Sequence, residues 1–167
     1  MSERQDAIDI LNGMILDICV AVEVLRDYEH GDYPKRDDLF RQGIYRLCLQ
    51  SIILNLAKFT EFCREYGKLI HECCPELTLQ KNKMKEALER KKVNDIRSKY
   101  IAHNRCDKTK SPLSTQEIDT LLIGVIGSDY AQDFLDWLHP QIASDEDVPE
   151  SFTGYISLVR DKFACFG

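Results

Sequence analysis

From Ile8 to Leu25 the apolar residues recur at alternating steps of three and four: Ile8, Leu11, Ile15, Ile18, Val22 and Leu25. That spacing lines one face of a helix and no face of a strand. A helix with such a stripe must bury it, so the fold is constrained to one built on helix packing. Ser2, followed three residues later by Gln5, predicts a capping box at its start, and "YEHGDYP", with Gly31 and Pro34, predicts its end.

The rest of the chain repeats the pattern. A second helix is expected from Asp37 or Asp38, whose carboxylates suit a helix N-terminus, through "LFRQGIYRLCLQSIILNLAKFTEFCREYG". Its middle, Leu47 to Phe62, is apolar on more than one face, which marks it as the central helix. Thr78 is expected to cap a third helix that turns Leu79, Met84, Leu88, Val93, Ile96 and Tyr100 inward. Ser114 with Glu117 forms a second capping box, opening a fourth helix through "EIDTLLIGVIGSDYAQDFLDWL" that Gly124 and Gly127 weaken. "SDEDVPES" reads as a loop and "FTGYISLVRDKFACF" as a terminal helix. No alternating run bounded by turns is present, so the expected fold is an all-α antiparallel bundle of four to five main helices, one domain over residues 1–167.

Several function classes drop out. No apolar run approaches the roughly 18 residues of a membrane span, and the acidic start "MSERQDAIDILNG" lacks the basic and apolar blocks of an export signal. A cytoplasmic protein without a membrane partner is expected. Seven cysteines, an odd number set mostly in apolar runs, are then expected to be reduced. There is no C-x-x-C, and the histidines are scattered; "HECC" at residues 71–74 reads as a helix end packing two small thiols rather than a metal site. Phosphate-loop, dinucleotide, nucleophile-elbow and H-E-x-x-H motifs are missing. No metal and no cofactor is implied.

Charge is unevenly spread. The chain carries −6 overall, yet residues 81–110 hold eleven basic against four acidic side chains, a local +7 that leaves −13 for the remainder. A basic segment of this kind is either a solvated helix face or a guide for a phosphate backbone. Within it lies "NDIRSKYIAHNR", residues 94–105. Arginine and histidine separated by five or six residues occur twice, as Arg64 with His71 and as Arg97 with His103. Only the second pair lies in the basic segment at the end of a long helix.

The run Arg97, Ser98, Lys99, Tyr100, Ile101, Ala102, His103 resembles the HEPN domain superfamily, whose motif is an arginine, four to six residues and a histidine near the end of the third main helix. The layout is similar to its abortive-infection U-type branch: an apolar second helix like "SIILNLAKFTEF", then, about thirty-five residues on, an arginine and an "IAH" triplet. The resemblance spans roughly residues 5 to 140. Ser98 stands where many members place asparagine or another polar helper. The resemblance implies a HEPN-like bundle, a homodimer, and a metal-independent endoribonuclease of the defence-effector or toxin type, with Arg97 and His103 catalytic. An antitoxin or regulatory partner would accompany such an activity.

The residue types suit that chemistry. RNA carries its own nucleophile, the 2′-hydroxyl, so cleavage needs a proton-transfer group and a stabiliser of phosphorane charge. An imidazole, with an ordinary pKa of about 6.5, exchanges protons at cellular pH, and a guanidinium matches phosphate oxygens. Six steps along a regular helix, however, leave Arg97 and His103 about 120° apart around the axis and about 9 Å apart along it. Either the helix ends before His103, freeing the ring to swing, or two copies assemble the site. Tyr100, midway between them, and Asn104, back on the arginine's face, are supporting candidates with Ser98, and Glu61 on the second helix either orients the arginine or is a surface carboxylate. Lys91, Lys92, Lys99 and Arg105 are the expected RNA contacts. Two other readings stay open: a non-catalytic helical module binding a nucleotide, RNA or a protein partner, and a purely structural protein in which both residues cap a helix end.

Overall fold

The computed structural model describes residues 2–30, 38–102, 111–127, 131–141 and 149–165. Eight helices occur among them and no β-strand: α1 (Glu3–His30), α2 (Asp38–Glu65), α3 (Gly67–Cys73), α4 (Thr78–Arg90), α5 (Val93–Ile96), α6 (Thr115–Ile126), α7 (Gln132–Leu138) and α8 (Phe152–Cys165). A 3-10 turn at Pro75–Leu77 precedes α4, and a π-helical turn at Arg97–Ala102 continues α5. Five of the eight, α1, α2, α4, α6 and α8, are twelve residues or longer, matching the all-α bundle of four to five main helices.

The stripe on α1 does what its spacing requires. Leu11, Ile18, Val22 and Leu25 are buried where α1 packs against α2 and α8. From α2, Ile52, Ile53, Leu56 and Phe59 meet them. Phe59 presents its edge to Phe152 at 5.0 Å and to Tyr155 at 5.9 Å, locking α2 to α8 through aromatic geometry that adds to the area buried. α2 also packs on α3, α4, α5 and the π-helical turn, as a central helix must. The one amide deep among these helices, Asn55, is satisfied: its Nδ2 donates to the Ser51 carbonyl at 2.9 Å and to Asp17 Oδ2 at 3.2 Å.

The helix ends follow local chemistry, with corrections. Ser2 Oγ accepts from the Gln5 amide as expected, but the Gln5 side chain turns to Asp9, so only half of the first capping box forms. The second is complete, with Ser114 Oγ accepting from the Glu117 amide and Glu117 Oε2 accepting from the Ser114 amide. Thr78 does not cap α4; Leu77 occupies that position, and Leu79, expected inside, is 68% exposed. The fourth helix is two, because Gly127 ends α6 in the left-handed region at φ 94°, a conformation without a Cβ penalty. The third helix also breaks: Lys91 and Lys92 form a turn between α4 and α5, with Lys92 at φ 52°. None of the described helices is long and apolar enough to cross a membrane.

Candidate functional site

Arg97 begins the π-helical turn and faces α2. Its Nη1 donates to Glu61 Oε1 at 2.6 Å, with both side chains close to half exposed. Beside Glu61, Thr60 Oγ1 donates to the Ala57 carbonyl at 2.7 Å and meets Oδ1 of Asn94, one turn before Arg97, at 3.3 Å, a polar tie between α2 and α5. The sequence-based pairing of Glu61 with Arg97 is thus present in the geometry. One guanidinium nitrogen is occupied by the carboxylate, and the planar group keeps donors for another anion.

The turn itself was not foreseen. In a π-helix the N–H bonds five residues back, so each residue turns the chain by less than the 100° of an α-helix. The 120° separation derived for a regular helix therefore does not carry over to 97–102. Tyr100, expected between the two candidate catalytic residues, is 6% exposed and packs into the core while its ring reaches a cavity between α2 and α6. Ser98 is exposed. His103, Asn104 and Arg105 lie outside the described residues.

The basic residues divide into two kinds. Lys91, expected to face RNA, turns inward: its Nζ donates to the Val125 carbonyl at 2.7 Å and sits 5.1 Å from the Phe134 ring centre and 5.8 Å from that of Trp137. The ammonium thereby satisfies a carbonyl at the end of α6 and gains cation–π attraction. Burial pushes its pKa down, helped by the neighbouring Arg90. Lys92 and Lys99 line, with Arg90, Asp95 and Lys91 itself, a cleft of about 370 Å³ between α5 and α6. Lys92 is exposed on its left-handed backbone and Lys99 is half-buried.

Two further polar features do not belong to this site. Cys63, Cys73 and Cys74 are buried free thiols; burial pushes Cys63 up to about 12 and Cys74 up to about 11, against reactive thiolate chemistry there. Arg26, which the sequence reading passed over, is 1% exposed and ties α1 to α7, donating from Nη2 to Asp136 Oδ1 and the His139 carbonyl, both at 2.6 Å, and from Nη1 to Glu23 Oε1 at 2.8 Å. His139 Nδ1 lies 3.1 Å from Thr153 Oγ1, extending the cluster to α8. The available signal was Arg26's position four residues after Val22, on the buried stripe.

No protein-family model matches the chain, and no curated protein is similar to it at a significant level. A solved structure is similar: the integron cassette protein Vpc_cass2, from the mobile metagenome of V. paracholerae. The two share 31% sequence identity over 99% of this chain and 98% of that one, with a TM-score of 0.76.

Proposed function

We propose that this chain, which belongs to the same family as the integron cassette protein Vpc_cass2, is a metal-independent endoribonuclease of the HEPN type acting as a defence effector or toxin. The observation that carries the reading is the Glu61–Arg97 ion pair at the head of the π-helical turn, whose last residue, Ala102, precedes His103 in the sequence. π-helical turns occur disproportionately at functional sites, and here one begins at the residue the motif singles out. Carriage of a relative on a mobile cassette is compatible with an accessory role such as defence.

In this reading Arg97, held by Glu61, binds the non-bridging oxygens of the scissile phosphate. The ribose 2′-oxygen attacks the adjacent phosphorus while the bond to the 5′-oxygen breaks. His103 handles the proton, taking it from the 2′-hydroxyl or delivering one to the leaving 5′-oxygen. The products are a 2′,3′-cyclic phosphate and a 5′-hydroxyl. A second copy of the chain completes the site, Lys92 and Lys99 with Arg105 hold the RNA backbone, and a regulatory partner or antitoxin restrains the activity in the cytoplasm.

The test is cleavage of mixed cellular RNA in EDTA by wild-type protein, Arg97→Ala and His103→Ala, with the new 3′ ends analysed. Cyclic-phosphate fragments from the wild type alone are the expected result. Equal fragmentation by all three proteins, or none by a folded dimer, would sink the assignment. The cavity beside Tyr100 favours one second reading, a non-catalytic module binding a nucleotide, RNA or a protein partner. Binding of RNA without cleavage would select it.

A further inference from the structure

A cavity of about 650 Å³ opens between the first half of α2, the π-helical turn and α6. Two phenol rings line it. Tyr100 is anchored in the core, and Tyr45 is steadied by an edge-to-face contact with Tyr28 at 6.2 Å. Leu122 adds apolar wall, while Gln42, Arg46 and Asp119 bring exposed polar groups to the same space. Among the described residues, no hydrogen bond or ion pair engages these three.

The volume falls within the range of small-molecule sites, roughly 300–1,000 Å³, which are mostly apolar with a few convergent polar groups. An aliphatic peptide side chain would fill the wall and leave a guanidinium and a carboxylate unused. A flat heterocycle with a donor edge and an acceptor edge uses both charged groups as well as the aromatic wall: its face stacks on a phenol, as unpaired bases do on aromatic side chains. Guanine places O6 and N7 as acceptors for Arg46 and offers N1–H and the N2 amino group as donors to Asp119. Adenine puts an amino donor where guanine has O6, against the donors of the arginine.

We propose that this cavity is a subsite for an unpaired guanine of the RNA substrate, stacked on Tyr45 over a floor that includes Tyr100 and read by Arg46 and Asp119. The inference rests on the ribonuclease reading for the chain that carries the base. Tyr100 and Arg97 belong to the same π-helical turn, so the base pocket and the phosphate-binding guanidinium share one element.

The test titrates guanosine 3′-monophosphate and adenosine 3′-monophosphate separately into the full chain, wild type and Asp119→Asn, and sequences the ends of RNA fragments made by the wild type. Asp119 is exposed on α6, so the variant is expected to fold, which its melting temperature checks. The guanine nucleotide is expected to bind about tenfold more tightly or better, the preference to shrink below about threefold in Asp119→Asn, and guanine to recur at a fixed position beside the cut. Equal affinities in the wild type, or an undiminished preference in Asp119→Asn, would overturn the proposal. Arg46→Gln, which is expected to lose the preference in the same way, supplies an independent variant should Asp119→Asn fail to fold. Guanine-selective binding without RNA cleavage keeps the pocket and removes the ribonuclease reading. Cleavage with no guanine at a fixed position and no nucleotide preference does the reverse.

Discussion

Arg97 and Glu61 form an ion pair between two half-exposed side chains, and pairs of that kind contribute only about 0.2–1 kcal/mol to stability. Their value in the proposed mechanism is orientation. Glu61→Gln is therefore expected to move stability by less than about 1 kcal/mol while lowering kcat/KM for RNA about tenfold, since misplacing a catalytic group is costly; unchanged cleavage would remove Glu61 from the site. Cys63 makes a different prediction. Burial raises its pKa from 9.0 to about 12, although Lys81 and Lys85 pull the other way. Below pH 9 both native and unfolded chains hold the proton. As pH rises from 9 toward 12 the unfolded chain releases it and the native one does not, so stability falls by up to about 1.4 kcal/mol per pH unit in that window. Urea midpoints from pH 8.5 to 10.5 should decline, and Cys63→Val should decline less steeply; parallel slopes would contradict the assignment. The pairing of Glu61 with Arg97 was one of two readings the sequence left open, the other being a surface carboxylate, because the apolar pattern places both residues on helices but does not fix which exposed side chains meet. The inward turn of Lys91 was not legible, because a flexible amine in a basic run gives no local sign of the carbonyl and aromatic rings that α6 and α7 bring to it.

The break between α4 and α5 is the element on which the site hinges. Without the turn at Lys91–Lys92, the helix of Thr78 would run straight into Arg97 with α-helical phase throughout. Lys92 holds φ 52°, where a Cβ costs roughly 1–2 kcal/mol relative to right-handed backbone. Lys92→Gly is expected to stabilise the protein by about 0.5–1 kcal/mol, and Lys92→Val to destabilise it by a similar amount, measured as shifts in the urea midpoint. A neutral pair of substitutions would mean the strain is relieved elsewhere. The apolar steps from Met84 through Leu88, Val93 and Ile96 run four, five and three, so the break leaves only a one-residue slip between Leu88 and Val93, easily absorbed into a longer helical pattern. The π-helical turn is hidden because Ile96 and Tyr100 are buried in either geometry. The helix start fixed by a side-chain oxygen, at Ser114, was readable because its signal is local, whereas Gly127 read only as a weak point in a longer helix and in fact ends α6.

At the scale of the whole molecule, Arg26 is the tie between the first helix and the C-terminal third. Arg26→Ala is expected to cost about 3 kcal/mol, because it empties the buried space of the side chain and leaves the His139 carbonyl without that donor, while the half-exposed Asp136 and Glu23 carboxylates turn to water. For a chain of this size that corresponds to a drop in Tm of about 6–12 °C. Arg26→Met, which keeps the packing of the stem, should recover part of the loss; an equal loss would place the whole effect in the hydrogen bonds. The same long-range closure sets the order in which the core is completed during synthesis. α1 lies against α8, and Phe59 is covered by Phe152 and Tyr155, so the core is unfinished until the segment 152–165 has emerged from the ribosome. A nascent chain that already contains Arg97 and His103 still lacks the helix that seals α1 and α2. Under the proposed function this ordering is protective, because a nascent chain without α8 has not completed the fold that carries Arg97.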